Sequence, residues 1–261
     1  MRQPHSHKGE NGTVAIIGGS RFQHGAPLFS ALAAEASGVD LVHLFIPVHH
    51  EEVAKVSSLN LQVRTFGTLK SDTLTSDDRT AIVEHLATID TAVIGPGLSK
   101  TSSSIKAVME LLEAVPCTVI ADATALQSET LKVLFGRHAV LTPHLGELER
   151  MGVDRAELPS LAAKHACTFV LKSQEDTIVN SDGSSRTVTG GNAGLTVGGT
   201  GDALAGLIAG LIAQGMTHAD ACVLASSVIK GAGDALRDEV GYAYTTMDVI
   251  RRIPSFLRGK L

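Results

Sequence analysis

The sequence predicts an α/β fold: a mostly parallel central sheet with helices on both faces and a β-hairpin late in the chain. Three observations predict it. Short apolar runs alternate with longer helix-forming segments. The runs end repeatedly in glycine or in a polar residue. Near residue 177 the alternation gives way to two short runs about the turn signal Ser181-Asp182-Gly183, which reads as a hairpin.

Taken in order, Thr13–Ile17 is a strand ending at Gly18-Gly19-Ser20. Gly25-Ala26-Pro27 follows, with Pro27 suited to a first helical turn, and the helix stops at Gly38. Leu41–Ile46 is a strand, which completes a βαβ unit. Glu51–Ser57 and Asp77–Ala87 read as helices around an extended Leu61–Phe66. Thr91–Ile94 is a buried strand ending at Gly95-Pro96-Gly97-Leu98, and Ser103–Val115 an amphipathic helix. Cys117–Ala121 is a strand ending at Asp122, and Leu126–Phe135 is expected to be helical. Ala139–Leu141 is a strand ending at Thr142-Pro143-His144, with short helices at Leu145–Met151 and Leu158–His165. Thr168–Leu171 ends at Lys172, and Thr177–Val179 with Thr187–Val188 makes the hairpin. A glycine-rich loop then feeds an apolar helix through Ala213, and helices follow at Ala219–Leu236 and Met247–Ile253. No linker, repeat or break in composition divides the chain. Residues 1–12 are expected to be a flexible arm and 13–261 one catalytic domain.

Composition narrows the functional classes. Of 261 residues, 44% are hydrophobic and only 3% aromatic, with no Trp, so Val, Ile, Leu and Ala must build the core. The formal net charge of −5 and the lack of a basic, aromatic-interleaved stripe argue against nucleic acid as a partner. Cys117, Cys167 and Cys222 lie far apart in apolar surroundings and read as buried thiols, without zinc-site spacing. The N-terminus lacks the apolar core of a signal peptide, and the apolar run Ala203–Ala213 is shorter than the about 20 residues a membrane span needs. A cytoplasmic protein without a membrane partner is expected.

The chemistry gathers in Gly190–Asp202. Small, flexible residues lead into a buried helix with Asp202 in its first turn. Such a junction offers unpaired N–H groups and a positive dipole end to a phosphate, with one carboxylate beside it. Gly18-Gly19-Ser20, Gly95-Pro96-Gly97, Asp122, Thr142-Pro143-His144 and Lys172 all fall at strand carboxyl ends, the edge where open parallel sheets bind ligands. Neither a Walker A lysine nor a G-x-G-x-x-G pattern is present, so a nucleotide would be held in another way.

Asn192–Asp202 resembles the Gly-Gly-Thr-Gly-Asp segment of the ribokinase-like superfamily. Thr142-Pro143-His144-Leu145-Gly146-Glu147, Gly95–Leu98, Gly18–Ser20 and Gly25–Pro27 resemble, in the same order, one branch of it, the NAD(P)H-hydrate dehydratases. The resemblance spans about Lys8 to Ile253. It implies a ribokinase-like fold and a repair reaction. Hydrated NADH or NADPH is phosphorylated on its ring hydroxyl by ADP or ATP, with Mg2+, and phosphate is then expelled.

By the same resemblance Asp202 is the base, and the N–H groups of Gly199, Thr200 and Gly201 hold the transferring phosphoryl group. Ala26, Gly97, His144 and Asp202 contact the hydrated dinucleotide. Lys172, Ser173, Gln174, Glu175 and Asp176 form the loop beside the nucleotide. Glu147 is either an acid behind the site or a first-turn helix charge. The resemblance also implies a homo-oligomer, a tetramer. The epimerase domain that accompanies many members has no counterpart within these residues, so a separate epimerase in the same pathway is implied. Three positions depart from the family pattern. Ser173 stands where glycine is usual, Asp176 where threonine is usual, and Asp122-Ala123-Thr124 has lost one of two carboxylates. The sequence therefore assigns no metal ligands and does not choose between ADP and ATP. Two other readings share the site: a small-molecule kinase of the same fold acting on a vitamin precursor, and a nucleotide-binding protein that has lost its chemistry.

Overall fold

A computed structural model describes residues 5–71 and 73–260, so Met1–Pro4 of the expected arm lie outside the described residues. The elements run β1 (Thr13–Ile17), α1 (Gly25–Ala36), β2 (Leu41–Pro47), α2 (Glu51–Ser57), β3 (Leu61–Phe66), α3 (Arg79–Leu86) and β4 (Thr91–Ile94). Then come α4 (Ser102–Ala114), β5 (Thr118–Ala121), α5 (Thr130–Val133), β6 (Val140–Leu141), α6 (Leu145–Arg150), α7 (Leu158–His165) and β7 (Thr168–Leu171). The chain ends with β8 (Asp176–Val179), β9 (Ser185–Val188), α8 (Thr200–Ala213), α9 (His218–Val240) and α10 (Thr246–Leu257).

The described strands form one sheet in the order β3-β2-β1-β4-β5-β6-β7-β8-β9. Pairings from β3 across to β7 are parallel, and β8 and β9 add on antiparallel. Strand side chains alternate between faces, and here both faces are buried. Val14, Ile16, Val42, Leu44, Val93 and Ile120 pack with α1, α8, α9 and α10. Ala15, Ile17, Phe45, Ile94, Phe169 and Leu171 pack with α3, α4, α6 and α7. The helices on both faces are what a parallel sheet requires.

α8 is apolar all round because it is enclosed. Gly206 and Gly210, one turn apart, let it lie directly on α1. A Cβ on Gly206 would sit 1.9 Å from the Ser30 carbonyl oxygen, and one on Gly210 2.1 Å from Ser37 Oγ. Ser30 Oγ also donates to the Asp202 carbonyl at 2.8 Å, which fixes the start of α8 against α1. Among the described residues no helix is long and apolar enough to cross a membrane.

Several expected boundaries differ. The helix expected over Leu126–Phe135 reduces to the single turn α5, preceded by a short 3-10 turn at Ala123–Ala125. Side chains compete for the backbone here. Thr130 Oγ1 donates to Ala125 O and accepts from Gln127 N, and Gln127 Nε2 donates to Thr124 O. α9 runs four residues beyond the expected Leu236, and α10 continues past Pro254 to Leu257. Pro254 falls in the last turns of α10, while Val249, Ile250, Ile253 and Leu257 hold that helix on the core.

Candidate active site

Strand order reverses between β1 and β4, and ligands in open α/β sheets bind at such a switch point. The loops after these two strands interlock. Gly19 N donates to Pro96 O at 2.8 Å, and a Cβ on Gly18 would meet that same oxygen at 2.4 Å. Gly97 has φ +66°, and a Cβ there would lie 2.7 Å from Gln23 O and 3.1 Å from the Ala26 Cβ. Ala26, near the start of α1, and Gly97 therefore form one wall, brought together from residues 71 apart in sequence.

The next strand ends converge on one ammonium group. Lys172 Nζ donates to Asp122 Oδ1 at 2.7 Å and lies 3.6 Å from Glu147 Oε2. Thr142 Oγ1 donates to the same Asp122 oxygen at 2.7 Å. His144 and Glu147 cap α6 reciprocally. Glu147 N donates to His144 Nδ1 at 3.2 Å, and His144 N donates to Glu147 Oε2 at 2.9 Å. Glu147 is thus both a first-turn cap and a buried partner of Lys172. The imidazole of His144 stays 58% exposed although its Nε2 lies 3.7 Å from Glu147 Oε1, so the exposed side of the ring is open to a ligand. Position 124 ties loops together: Thr124 Oγ1 is buried and donates to Leu98 O at 2.8 Å.

Asp202 is the third residue of α8, after the cap Gly199 at φ +99°. A Cβ on Gly199 would strike the Phe29 ring at 2.2 Å, so only glycine closes this turn. Lys172 Nζ lies 3.4 Å from where a Gly201 Cβ would be, against the same first turn. The first N–H groups of a helix have no intrahelical acceptor and face outward with the positive dipole end. Burial, then the charges of Asp122 and Glu147, push the Asp202 carboxyl up to about 7, and Lys172 only partly offsets them. Burial pulls the Lys172 ammonium down, but Asp122, Glu147 and Asp202 outweigh it and hold its pKa above the ordinary value. The result is a carboxyl poised to gain or lose a proton near neutrality beside a lysine that stays charged.

Beyond Lys172 opens a cleft of about 540 Å³, lined by Ser173, Gln174, Gly190–Ala193, Leu195, Thr196 and Lys230. A smaller cavity of about 150 Å³, reaching Lys172, Thr200 and Gly201, shares Ser173, Leu195 and Lys230 with it. Of the expected nucleotide loop, Ser173, Gln174 and Glu175 are exposed, and Ser173 and Gln174 line the cleft. Asp176 is buried. Its carboxylate accepts from Ser226 Oγ at 2.5 Å and Ser173 N at 2.9 Å, and lies 3.6 Å from Lys230 Nζ. The glycine-rich wall is held in the same way. Asp234 accepts from Gly191 N and Asn192 Nδ2, and Tyr244 donates to Asn192 Oδ1.

Sequence reasoning did not find Ser226, Lys230, Asp234 or Tyr244. One signal was present: Ser226, Lys230 and Asp234 recur every four residues, on one face of an otherwise small and apolar stretch. No three His, Cys, Asp or Glu side chains among the described residues converge as a metal cage.

The profile of the NAD(P)H-hydrate dehydratase family matches residues 14–255. The chain is 34% identical to the ADP-dependent (S)-NAD(P)H-hydrate dehydratase of Cenarchaeum symbiosum, over 98% of this chain and 92% of that protein. It spans about half the length of bifunctional NAD(P)H-hydrate repair enzymes such as that of Methanocaldococcus jannaschii. The Bacillus subtilis ADP/ATP-dependent NAD(P)H-hydrate dehydratase, co-crystallized with ATP/Mg2+, superposes with a TM-score of 0.84 at 26% identity, covering 99% of this chain and 93% of that one. A ribokinase-like superfamily protein of Enterococcus faecalis gives 0.82 at 27% identity, covering 99% and 90%. The fold is ribokinase-like.

Proposed function

The chain belongs to the NAD(P)H-hydrate dehydratase family, and from that membership we propose that it returns hydrated NADH and NADPH to NADH and NADPH at the expense of ADP or ATP. The observation that carries the assignment of roles is Asp202. It lies at the start of a glycine-capped helix, with its carboxyl held near neutrality and Lys172 against the same turn.

In this reading the hydrated nicotinamide ring lies against Ala26, Gly97 and the open edge of His144. The nucleotide lies in the cleft bounded by Ser173, Gln174 and the 190–196 loop, with its terminal phosphate at the N-terminus of α8. Asp202 takes the proton from the ring hydroxyl as that oxygen attacks the phosphorus. The N–H groups of Gly199, Thr200 and Gly201 and the Lys172 ammonium hold the phosphoryl charge. The spent nucleotide leaves as AMP or ADP. Hydroxide is a poor leaving group and phosphate a good one, so the phosphorylated ring expels phosphate, loses a proton from the neighbouring ring carbon to form the double bond, and the dinucleotide is restored.

The site carries three carboxylates, Asp122, Glu147 and Asp202, about the Lys172 ammonium, with the Arg150 guanidinium 3.9 Å from Glu147, and one negative charge is left over facing an anionic donor. That excess fits a cation brought in on the phosphates. Mg2+ needs only one or two protein carboxylates when phosphate and water complete its shell, which the carboxylates bordering Lys172 would supply. Bound there, it would neutralise phosphate charge.

We further read residues 13–261 as one catalytic domain working in the cytoplasm as a homo-oligomer, a tetramer, with a separate epimerase supplying the other epimer of the substrate. Hydrated NADH with Mg2+ and either ADP or ATP tests the function. Recovery of NADH absorbance with at least one donor is expected, and recovery with neither removes the reading.

A further inference from the structure

The donor-nucleotide loop is built on a buried charge that belongs to another helix. Lys230, in the middle of α9, is nearly enclosed, and its Nζ donates to two successive carbonyls, Gln174 O at 2.8 Å and Ser173 O at 3.3 Å. The peptide unit is planar and trans, so its C=O and N–H point in opposite directions. With both carbonyls turned onto Lys230, the N–H groups of Gln174 and Glu175 are turned away from it. Neither amide has a protein acceptor among the described residues. Two successive amides left without a protein acceptor can each donate to a bound anion.

Asp176 completes the device. Its carboxylate closes the loop on Ser173 N at 2.9 Å, takes Ser226 Oγ at 2.5 Å, and lies 3.6 Å from Lys230 Nζ. The acid at this position, unfavourable beside phosphates if bare, is neutralised from behind. The methylene stem of Lys230 serves the opposite wall: a Cβ on Gly191 would lie 3.1 Å from Lys230 Cγ. One side chain thus touches both walls of the 540 Å³ cleft and the 150 Å³ cavity beside it.

We propose that Lys230, locked by Asp176 and Ser226, is a positioning residue for the phosphate donor: it sets the orientation of the Gln174 and Glu175 amides that receive the nucleotide's phosphates. The proposal rests on the reading of this cleft as the donor site.

The test is nucleotide affinity by calorimetry, separate from turnover, on Lys230→Met, Lys230→Arg and the double variant Lys230→Met/Asp176→Asn. Breaking a buried pair on one side leaves the other charge uncompensated, so the double variant, which removes both charges, is the one expected to fold well. Both Met-bearing proteins should bind ADP and ATP more than about fivefold more weakly than wild type, by loss of charge-assisted bonds to the loop. The KM for nucleotide should rise while the KM for hydrated NADH stays, and Lys230→Arg should recover most of the affinity. Affinity within about fivefold of wild type in the double variant would overturn the proposal. A wild-type protein that binds nucleotide but leaves hydrated NADH untouched would remove the functional reading while the test of Lys230 still stands.

Discussion

Replacing Asp202 by asparagine should abolish turnover and at the same time stabilise the protein, but only at higher pH. The carboxyl is raised from its ordinary 3.8 to about 7, first by burial and then by Asp122 and Glu147. A folded-state pKa above the unfolded one means that the fold prefers the protonated acid. The penalty is absent below about pH 3.8, grows as pH rises toward 7, and is complete above it. A rise of that size is worth about 4 kcal/mol, and solvent contact at the partly open carboxylate trims it to about 2–4 kcal/mol. The dipole of α8 works the other way, favouring a carboxylate in the first turn by about 0.3–1 kcal/mol. Burial and like charge therefore win, by about 1–4 kcal/mol. For a chain of this size that is about 2–8 °C in Tm. Thermal melts of wild type and Asp202→Asn at pH 8 and pH 4 measure it. The variant should melt higher at pH 8 and nearly level at pH 4, with turnover reduced by about 100-fold or more. A variant that melts lower at pH 8, or shifts equally at both pH values, would refute the electrostatic account of the site.

Other outcomes follow from the same geometry. The kcat/KM profile should rise through an apparent pKa near 7 as Asp202 loses its proton, and Lys172→Met should move that limb upward by about 1–3 pH units, because the ammonium that lowers Asp202 is gone; an unmoved limb counts against the pairing. Gly201→Val should weaken nucleotide binding by about tenfold or more, since a branched side chain in the first turn of α8, beside Lys172 Nζ, would stand between the backbone and a phosphate; calorimetry checks it. Gly206→Ala should cost about 3 kcal/mol or more in denaturant unfolding despite alanine's better helix propensity, because its Cβ would meet the Ser30 carbonyl at 1.9 Å.

The sheet and the converging strand ends were legible because buried parallel strands and their polar carboxyl termini leave local marks. Gly95–Leu98, Thr142–Glu147 and Asp202 are such marks. The Leu126–Phe135 segment was misread because Gln127 and Thr130 spend their side chains on nearby backbone, which apolar spacing does not reveal. Asp176 looked like an acid facing phosphates because its neutralising partners, Ser226 and Lys230, stand 50 and 54 residues away in sequence. Their spacing along α9 was visible, but nothing local said what that face packs against.

The measurement closest to the central claim is a stoichiometry. The protein is given hydrated NADH, Mg2+ and ADP or ATP, and restored NADH and released phosphate are followed together. The account predicts that the two appear one for one, that neither appears without nucleotide, and that Asp202→Asn produces neither. Phosphate release without restored NADH, or NADH restored without nucleotide, would contradict it.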